Sequence, residues 1–573
     1  MTRANDDVEQ ALLEFSELLA IVGDDPFKAR AYEKAARAVG GYHADLAELD
    51  DDGIRAIPNV GRSIVVKIRG LLDAGTFPEL ETLRTRVPSG VRAMTAIPGF
   101  GPKKALFVHQ ELGIDGIDEL VLAAEEGRLA SLKGFSKKTE ENILAGATRI
   151  RTTERRVLLH EALDVAEQLL ERLRAIRGVR RAEYAGSLRR SVETIGDVDL
   201  LVASDRPDAV IEAFTTYSLV DRVLARGDTR SSILTLAGLQ VDLRVIPQGA
   251  WGAAMIYFTG SKAHNVRIRE LAVRAGLKLN EYGVFEADGG DAIAAETEEA
   301  VYARLGLAYI EPTLREDRGE VEAARDGTLP DLVTLARIRG DLHTHTDLTD
   351  GVAPLERMLA AAARKGYAYY AVTDHAPNLW MQRMTDEKML AQRETLRKLQ
   401  AASPKMQLLH GTELNIAPDG TVDWPAAFLE GFDVTIASIH SHFNLSREEQ
   451  TKRLIMAMEN PHVNVIGHMT TRMINKRAPI ELDLDAVFAA AARTGTALEI
   501  NAYPDRLDLR DEHVLWARRH GARFSIDSDA HAVGHLDVMR YGVGTAQRGW
   551  LTGNDVVNTW PLAKLRRFLR KGR

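Results

Sequence analysis

Asp197 and Asp199 lie two apart in the run IGDVDLLVA, and a third aspartate, Asp242, stands alone in the apolar run QVDLRV. Side chains two apart on a strand point the same way, so the first pair presents two carboxylates on one face. Three carboxylates on neighbouring strands can hold two Mg2+ (or Mn2+) ions about 3.5–4 Å apart, the arrangement suited to in-line phosphoryl transfer. An isolated Asp-x-Asp is usually a turn or surface pair. Here it follows Gly186-Ser187, a turn whose backbone and hydroxyl can cradle a triphosphate, with Arg189 and Arg190 beside it to meet the charge. The full set is far more specific than the pair.

Histidine marks a second chemistry. Twelve of the sixteen histidines lie after residue 339, leaving only His43, His109, His160 and His264 before it. His343 and His345 alternate on one run and so point the same way. Asp350, His375, Glu413, His440, His468, Asp529 and His531 follow, each at or just after the end of an apolar run. Such nitrogen and carboxylate ligands suit two or three ions of the zinc or manganese type. His410, His442, His462, His513, His520 and His535 fall outside this pattern and read as supporting or surface residues.

The elements that must position these groups can be read in turn. After residue 339, seven short strands (GDLHTHT, YYAVTDH, LLHGTELNI, VTIASIH, VNVIGH, ALEIN and FSIDSDAH) alternate with helical runs. That pattern predicts a parallel barrel with its chemistry at the strand C-terminal ends. Before it, VDLLVA (198–203), SILTLA (232–237) and QVDLRVI (240–246) read as strands of a separate sheet, and 311–338 reads as a linker. Residues 8–40 carry helical periodicity. Three segments then repeat one plan, at 56–75, 96–114 and 131–146: an apolar residue, a glycine turn, and a helix opening with basic or hydroxyl residues. This is a helix-hairpin-helix pattern, in which glycine lets the backbone approach a DNA phosphate and the helix N-terminus offers free N–H groups. Gly61, Gly99, Gly101, Lys103, Gly134 and Lys137 are the candidate contacts. They would touch backbone rather than base edges, implying binding without sequence specificity.

Composition sets the frame. At 573 residues the chain has room for several domains, and 45% hydrophobic with 27% charged residues is ordinary for a globular protein. Zero cysteines exclude disulfides, cysteine zinc sites and thiol catalysis, and favour a cytoplasmic protein. The polar, acidic N-terminus is unlike a secretory signal, and no apolar run is long enough to span a membrane. The net charge of -8 hides asymmetry: residues 128–190 hold 15 Lys and Arg against 8 Asp and Glu, between acidic flanks. That stretch can draw phosphates.

Gly-Ser, Asp-x-Asp and the lone strand aspartate resemble the nucleotidyltransferase superfamily. WGAAMIYFTGSKAHNVRIRELAVRAGLKLNEYGVF (251–285) narrows the resemblance to the family X DNA polymerases, the DNA polymerase beta group, over residues 1–315. The resemblance implies that Asp197, Asp199 and Asp242 bind two metals, with Asp242 nearest the primer. Ser187, Arg190 and Gly196 match triphosphate positions. Tyr257, Phe258, Thr259 and Gly260 match the segment against the incoming sugar, and Asn265 and Arg269 face the nascent pair and template. Lys262 stands where vertebrate members commonly have an acid, and implies stronger nucleotide binding. Gln240 replaces a common arginine, and the first hairpin reads Asn59-Val60-Gly61 rather than Gly-x-Gly. Lys67 matches the lysine that serves vertebrate relatives as a lyase nucleophile.

The histidine-rich part resembles the PHP (polymerase and histidinol phosphatase) phosphoesterases over 339–573. The fusion implies a bacterial gap-filling repair polymerase with a Mn2+-dependent 3'-5' exonuclease, acting on gapped or primer-template DNA with dNTPs. It also implies a nucleoid-associated monomer. The alternatives are a DNA-targeted nuclease or phosphatase with weak polymerase activity, and a metal-stiffened scaffold. The expected architecture is multidomain α+β and α/β. It comprises a helical 8-kDa-like domain (1–85), a fingers-like hairpin domain (86–155), a nucleotidyltransferase palm with mixed sheet (156–248) and a thumb (249–315). A linker (316–338) and a distorted (β/α)7 PHP barrel (339–573) complete it.

Overall fold

The structure, a computed structural model, describes residues 4–22, 26–40, 46–87, 89–95, 97, 100–152, 156–379, 384–402 and 405–571. It divides into two compact units, one of residues 1–155 with Ala532–Gly534 and one of the remainder.

The described part of the first unit up to Thr152 is helical. Helix α1 (Ala4–Val22) buries Val8, Leu12, Phe15 and Leu19, spaced to share one face, against α2 (Pro26–Gly40). The small residues of α2, Ala29, Ala35 and Ala36, let the helices approach until Ser16 Oγ donates to the Ala29 carbonyl at 2.8 Å. Then come α3 (Arg62–Ala74), α4 (Pro78–Arg86), α5 (Pro102–Leu112) and α6 (Lys137–Thr152). Gly61 and Gly101 are the N-caps of α3 and α5, in extended conformations open to any residue. Gly134, before α6, differs from these two in having a left-handed φ (90°) that favours glycine.

The second unit holds a five-stranded mixed sheet, a helical segment and a barrel. The strands are β1 (Val179–Tyr184), β2 (Asp197–Ser204), β3 (Val220–Arg226), β4 (Arg230–Thr235) and β5 (Gln240–Ile246), in the order β1-β2-β5-β4-β3. Val241, Leu243 and Val245 point into a core formed with α7 (Leu159–Arg174), whose Leu159, Leu163, Ala166, Leu170 and Leu173 repeat every three or four residues. Gln240, Asp242 and Arg244 point the other way. The two strands that the sequence did not predict, β1 and β3, are the sheet edges. β3 is exposed along nearly its whole length, so it lacks the apolar alternation that marks a half-buried strand.

The short helix α8 (Gly186–Arg189) joins β1 to the approach to β2. Beyond the sheet lie α9 (Trp251–Thr259), buried on nearly all sides, α10 (Lys262–Arg274) and α11 (Glu298–Arg304). The segment 316–338, expected to be a linker, is packed rather than open. It forms α12 (Glu320–Asp326), whose buried Glu320 accepts from the amides of Asp317 and Arg318 at 2.9 and 2.7 Å and lies 2.7 Å from His264 Nδ1. Beside this charged anchor, Val321 and Ala324 pack into the apolar core that holds Val301 and Tyr302 of α11, and two apolar residues in a seven-residue helix are too few for periodicity to show.

The barrel is formed by seven parallel strands in sequence order: β6 (Gly340–Asp341), β7 (Tyr369–Val372), β8 (Gln407–Asn415), β9 (Val434–Ser438), β10 (Val465–Ile466), β11 (Ala497–Asn501) and β12 (Arg523–Asp527). A parallel bridge between Thr344 and Ala530, just past β6 and β12, closes it nearly completely. Helices α13 (Asp511–Arg519) and α14 (Met539–Arg548) flank it. Among the described residues no helix is long and apolar enough to cross a membrane.

Candidate active sites

Strands β2 and β5 are parallel neighbours in a register that sets Asp199 directly beside Asp242 and Asp197 beside Gln240. The three carboxylates therefore converge on one face of the sheet. Burial, then the charges of Asp197 and Asp242, push the Asp199 carboxyl up to about 7. Gln240 donates to both oxygens of Asp242 at 3.2 Å. Acidic oxygens that raise one another's proton affinity are a donor set suited to hard divalent cations.

Gly186 lies on top of this cluster, with φ of 60°, and a Cβ there would sit 2.3 Å from Asp199 Oδ2. Only glycine allows the turn carrying Ser187 to lie against the carboxylates. Gly196 immediately precedes Asp197 on the way into β2. Arg190 Nε donates to Glu316 at 3.0 Å, and its Nη1 donates to the Thr259 carbonyl. Arg189 binds Glu298 through two bonds of 2.8 and 2.6 Å, and Thr259 Oγ1 at 2.9 Å. The 257–269 segment thereby joins the turn. Tyr257 and Phe258 meet edge to face, Arg269 lies 5.8 Å over Tyr257, and Asn265 Nδ2 donates to the Tyr257 carbonyl at 2.6 Å. Asn265 Oδ1 is buried without a partner. Gly260 has φ of 69°, beside the Arg190 guanidinium. Lys262, at the start of α10, is exposed and lines a shallow hollow with Arg267, Glu270 and Glu322.

At the C-terminal mouth of the barrel, Glu413 sits at the centre of the histidines. His468 Nε2, His440 Nε2 and His375 Nδ1 lie 2.9, 3.0 and 3.0 Å from its oxygens, with His343 and His345 at 3.5 and 3.6 Å. His345, Asp350, His375 and His531 form one close group, His343, His345 and Asp529 another, and His375, Glu413 and His440 a third. All nine residues singled out from the sequence are thus gathered. Burial alone would discharge His343, but Glu499, Asp529 and Glu413 push it well above the usual imidazole range. Glu413 is itself held well below the carboxylate range by His440, His375 and His343 despite its burial. His343 Nε2 and both ring nitrogens of His345 are buried without hydrogen-bond partners. Orphaned imidazole nitrogens around carboxylates are what a metal site presents, so these residues fit ions of the kind expected.

A second layer, which the sequence did not reveal, orients the rings. His343 Nδ1 lies 2.6 Å from Glu499, His440 Nδ1 lies 2.8 Å from Asn415 Oδ1, and Asn501 donates to Asp529 at 3.0 Å. Such partners fix tautomer and ring orientation. Glu499 and Asn501 sit in the apolar strand ALEIN, an acid and an amide whose role shows only beside their partners His343 and Asp529. His468 (φ 25°) and Asp529 (φ 52°) adopt backbone conformations rare for side-chain-bearing residues, a strain that concentrates at functional positions.

In the first unit, a Cβ at Gly61, Gly101 or Gly134 would meet no atom within 4 Å. At Gly61 and Gly101 neither φ nor packing demands glycine, leaving a bare backbone facing outward. Lys137 is exposed at the first turn of α6. Gly99 lies outside the described residues, as does the side chain of Lys103 in α5. Lys67 is not a solvated lysine. It is buried, its ammonium lies 5.7 and 5.1 Å over the rings of Phe15 and Phe77, and it pairs with Glu79.

Comparison with known proteins agrees with this geometry. The chain matches the helix-hairpin-helix domain over residues 3–77, the SAM-like helix-hairpin-helix tandem over 91–149, the DNA polymerase beta thumb over 254–316 and the PHP domain over 341–503. It is 35% identical to the DNA polymerase/3'-5' exonuclease PolX of Bacillus subtilis, over 99% of both chains. It is 24% identical to rat DNA polymerase lambda across 52% of this chain and 53% of that one. A probable phosphatase of Syntrophotalea carbinolica is 30% identical across 38% of this chain and 90% of its own. With sheet carboxylates, hairpins, thumb and histidine-lined barrel in one order along the chain, this protein belongs to the family X DNA polymerases that carry a C-terminal PHP domain.

Proposed function

We propose that the chain fills short gaps during DNA repair and trims 3' ends at the barrel mouth. The observation that carries the polymerase half is the β2–β5 register, which aligns Asp199 with Asp242 and sets Asp197 on the same face. In this reading Asp242 orients the primer 3'-hydroxyl and receives its proton, with Gln240 fixing the carboxylate. Ser187, Gly196 and Arg190 hold the triphosphate, and Lys262 adds to its charge balance. Tyr257, Phe258 and Gly260 pack against the sugar, while Asn265 and Arg269 face the base pair. Two Mg2+ or Mn2+ ions held by the three aspartates would neutralise charge on the attacking and leaving oxygens. At the barrel, His343, His345, Asp350, His375, Glu413, His440, His468, Asp529 and His531 would hold two or three Zn2+ or Mn2+ ions for phosphoester hydrolysis. Gly61, Gly99, Gly101, Lys103, Gly134 and Lys137 would grip the DNA backbone, and a nucleoid-associated cytoplasmic monomer suits that task. The pairing of Lys67 with Glu79 supports a packing role for it rather than a lyase one.

A second reading, in which hydrolysis dominates and the front half targets DNA, draws support from one residue. Gln240 lacks the charge that relatives place beside the third aspartate. Extension and degradation on a one-nucleotide gap, under Mg2+ and Mn2+, separate the two. Asp242→Ala is expected to abolish dNTP addition and spare hydrolysis, and His343→Ala to do the reverse. Extension surviving in Asp242→Ala would sink the polymerase assignment, and vigorous trimming with poor wild-type extension would favour the second reading.

A further inference from the structure

The triphosphate turn is held in part by residues of the barrel. Arg548, buried at the end of α14, donates to the Arg190 carbonyl at 2.9 Å and to Glu316 at 2.7 Å, and pairs with Asp511 of α13 at 2.8 Å. Arg318 reaches the same Asp511 oxygen at 3.0 Å. Charges therefore alternate from Arg190 through Glu316, Arg548 and Asp511 to Arg318. Next along the turn, a Cβ at Gly544 would lie 2.9 Å from Ser191 Cβ, while one at Gly542 would lie 2.7 Å from Ala502 and Ile526 in the barrel wall. Two glycines thus let α14 fit between the barrel and the turn. Further on, Arg472 binds Glu193 through two bonds of 3.1 and 2.7 Å.

We propose that α14, through Arg548 and Gly544, and Arg472 are positioning residues for nucleotide binding: barrel groups that set the geometry of the polymerase's triphosphate turn. Buried ion pairs add little net stability, because desolvation offsets their attraction, but they specify one arrangement where several would pack equally well. The contacts fall on consecutive parts of the turn (190, 191 and 193) and on Glu316, the partner of Arg190. The inference rests on reading Ser187 and Arg190 as the triphosphate site.

The test is steady-state dNTP incorporation opposite a one-nucleotide gap, alongside 3'-5' degradation of a labelled single strand. Gly544→Ala is expected to raise the dNTP KM about five- to tenfold, with kcat and degradation within about twofold. Adding Ser191→Gly, which removes the colliding side chain, should restore KM, and Arg548→Lys should raise it. If Gly544→Ala and Arg548→Lys leave KM unchanged while Arg190→Ala raises it, the positioning role is overturned and the site reading stands. If Arg190→Ala also leaves KM unchanged, the site reading fails and the inference with it. Loss of both activities in Gly544→Ala without recovery on adding Ser191→Gly would mark barrel damage and equally overturn it.

Discussion

Asp199 is a strongly perturbed carboxyl in the sheet site. Its carboxyl, pushed up to about 7 by burial and two neighbouring acids, is neutral at acidic pH in metal-free protein. A folded-state value above the unfolded one of about 4 means stability is fully present below pH 4 and lost as pH rises through 7. The shift caps the effect near 4 kcal/mol, and solvent screening of this partly exposed group makes it smaller. In EDTA, thermal unfolding of wild type should move to lower temperature between pH 5 and 8, and Asp199→Asn should flatten that slope. Equal slopes would show that the acids do not repel one another. At this scale the sequence was highly legible, because carboxylates that interrupt an apolar strand are costly to bury unless they meet a cation. Glu499 and Asn415 were less so, since a buried acid or amide is visible only once its histidine partner is known.

At the scale of elements, the turn between β1 and β2 is where backbone and chemistry meet. Gly186 combines a left-handed φ with a contact to Asp199 that excludes any side chain. Gly186→Ala should therefore displace the turn by an ångström or so and lower dNTP incorporation on the order of 100-fold, while barrel hydrolysis stays within about twofold. Gap-filling and degradation assays on one preparation check both halves, and an unimpaired incorporation rate would refute the packing argument. The seven barrel strands and three of the five sheet strands were readable because each carries apolar residues flanked by turns. The edge strand β3 and α12 were not, because one is exposed on both faces and the other is too short to show a period.

At the scale of the whole molecule, the contacts that matter join residues hundreds of positions apart, such as Arg472 with Glu193, and no local pattern announces them. Ile474, Leu507 and Tyr541 of the barrel belong to the same buried cluster as the sheet and α7. Sheet and barrel should accordingly unfold together. Calorimetry is expected to show one transition for residues 156–573, lowered by several degrees in Ile474→Asp, since a buried unpaired carboxylate is costly. Separate melting of sheet and barrel would contradict the shared core.

That common core has a kinetic meaning. Because sheet and barrel share one buried cluster, moving the two mouths apart would expose that cluster to water, a cost that favours a fixed spacing. Under the proposed function, a primer terminus would then change sites by its own motion, fraying and reseating. The balance between synthesis and trimming would then be a race timed by the DNA end. Mismatched termini, which fray more readily, would be corrected without any signal from the protein.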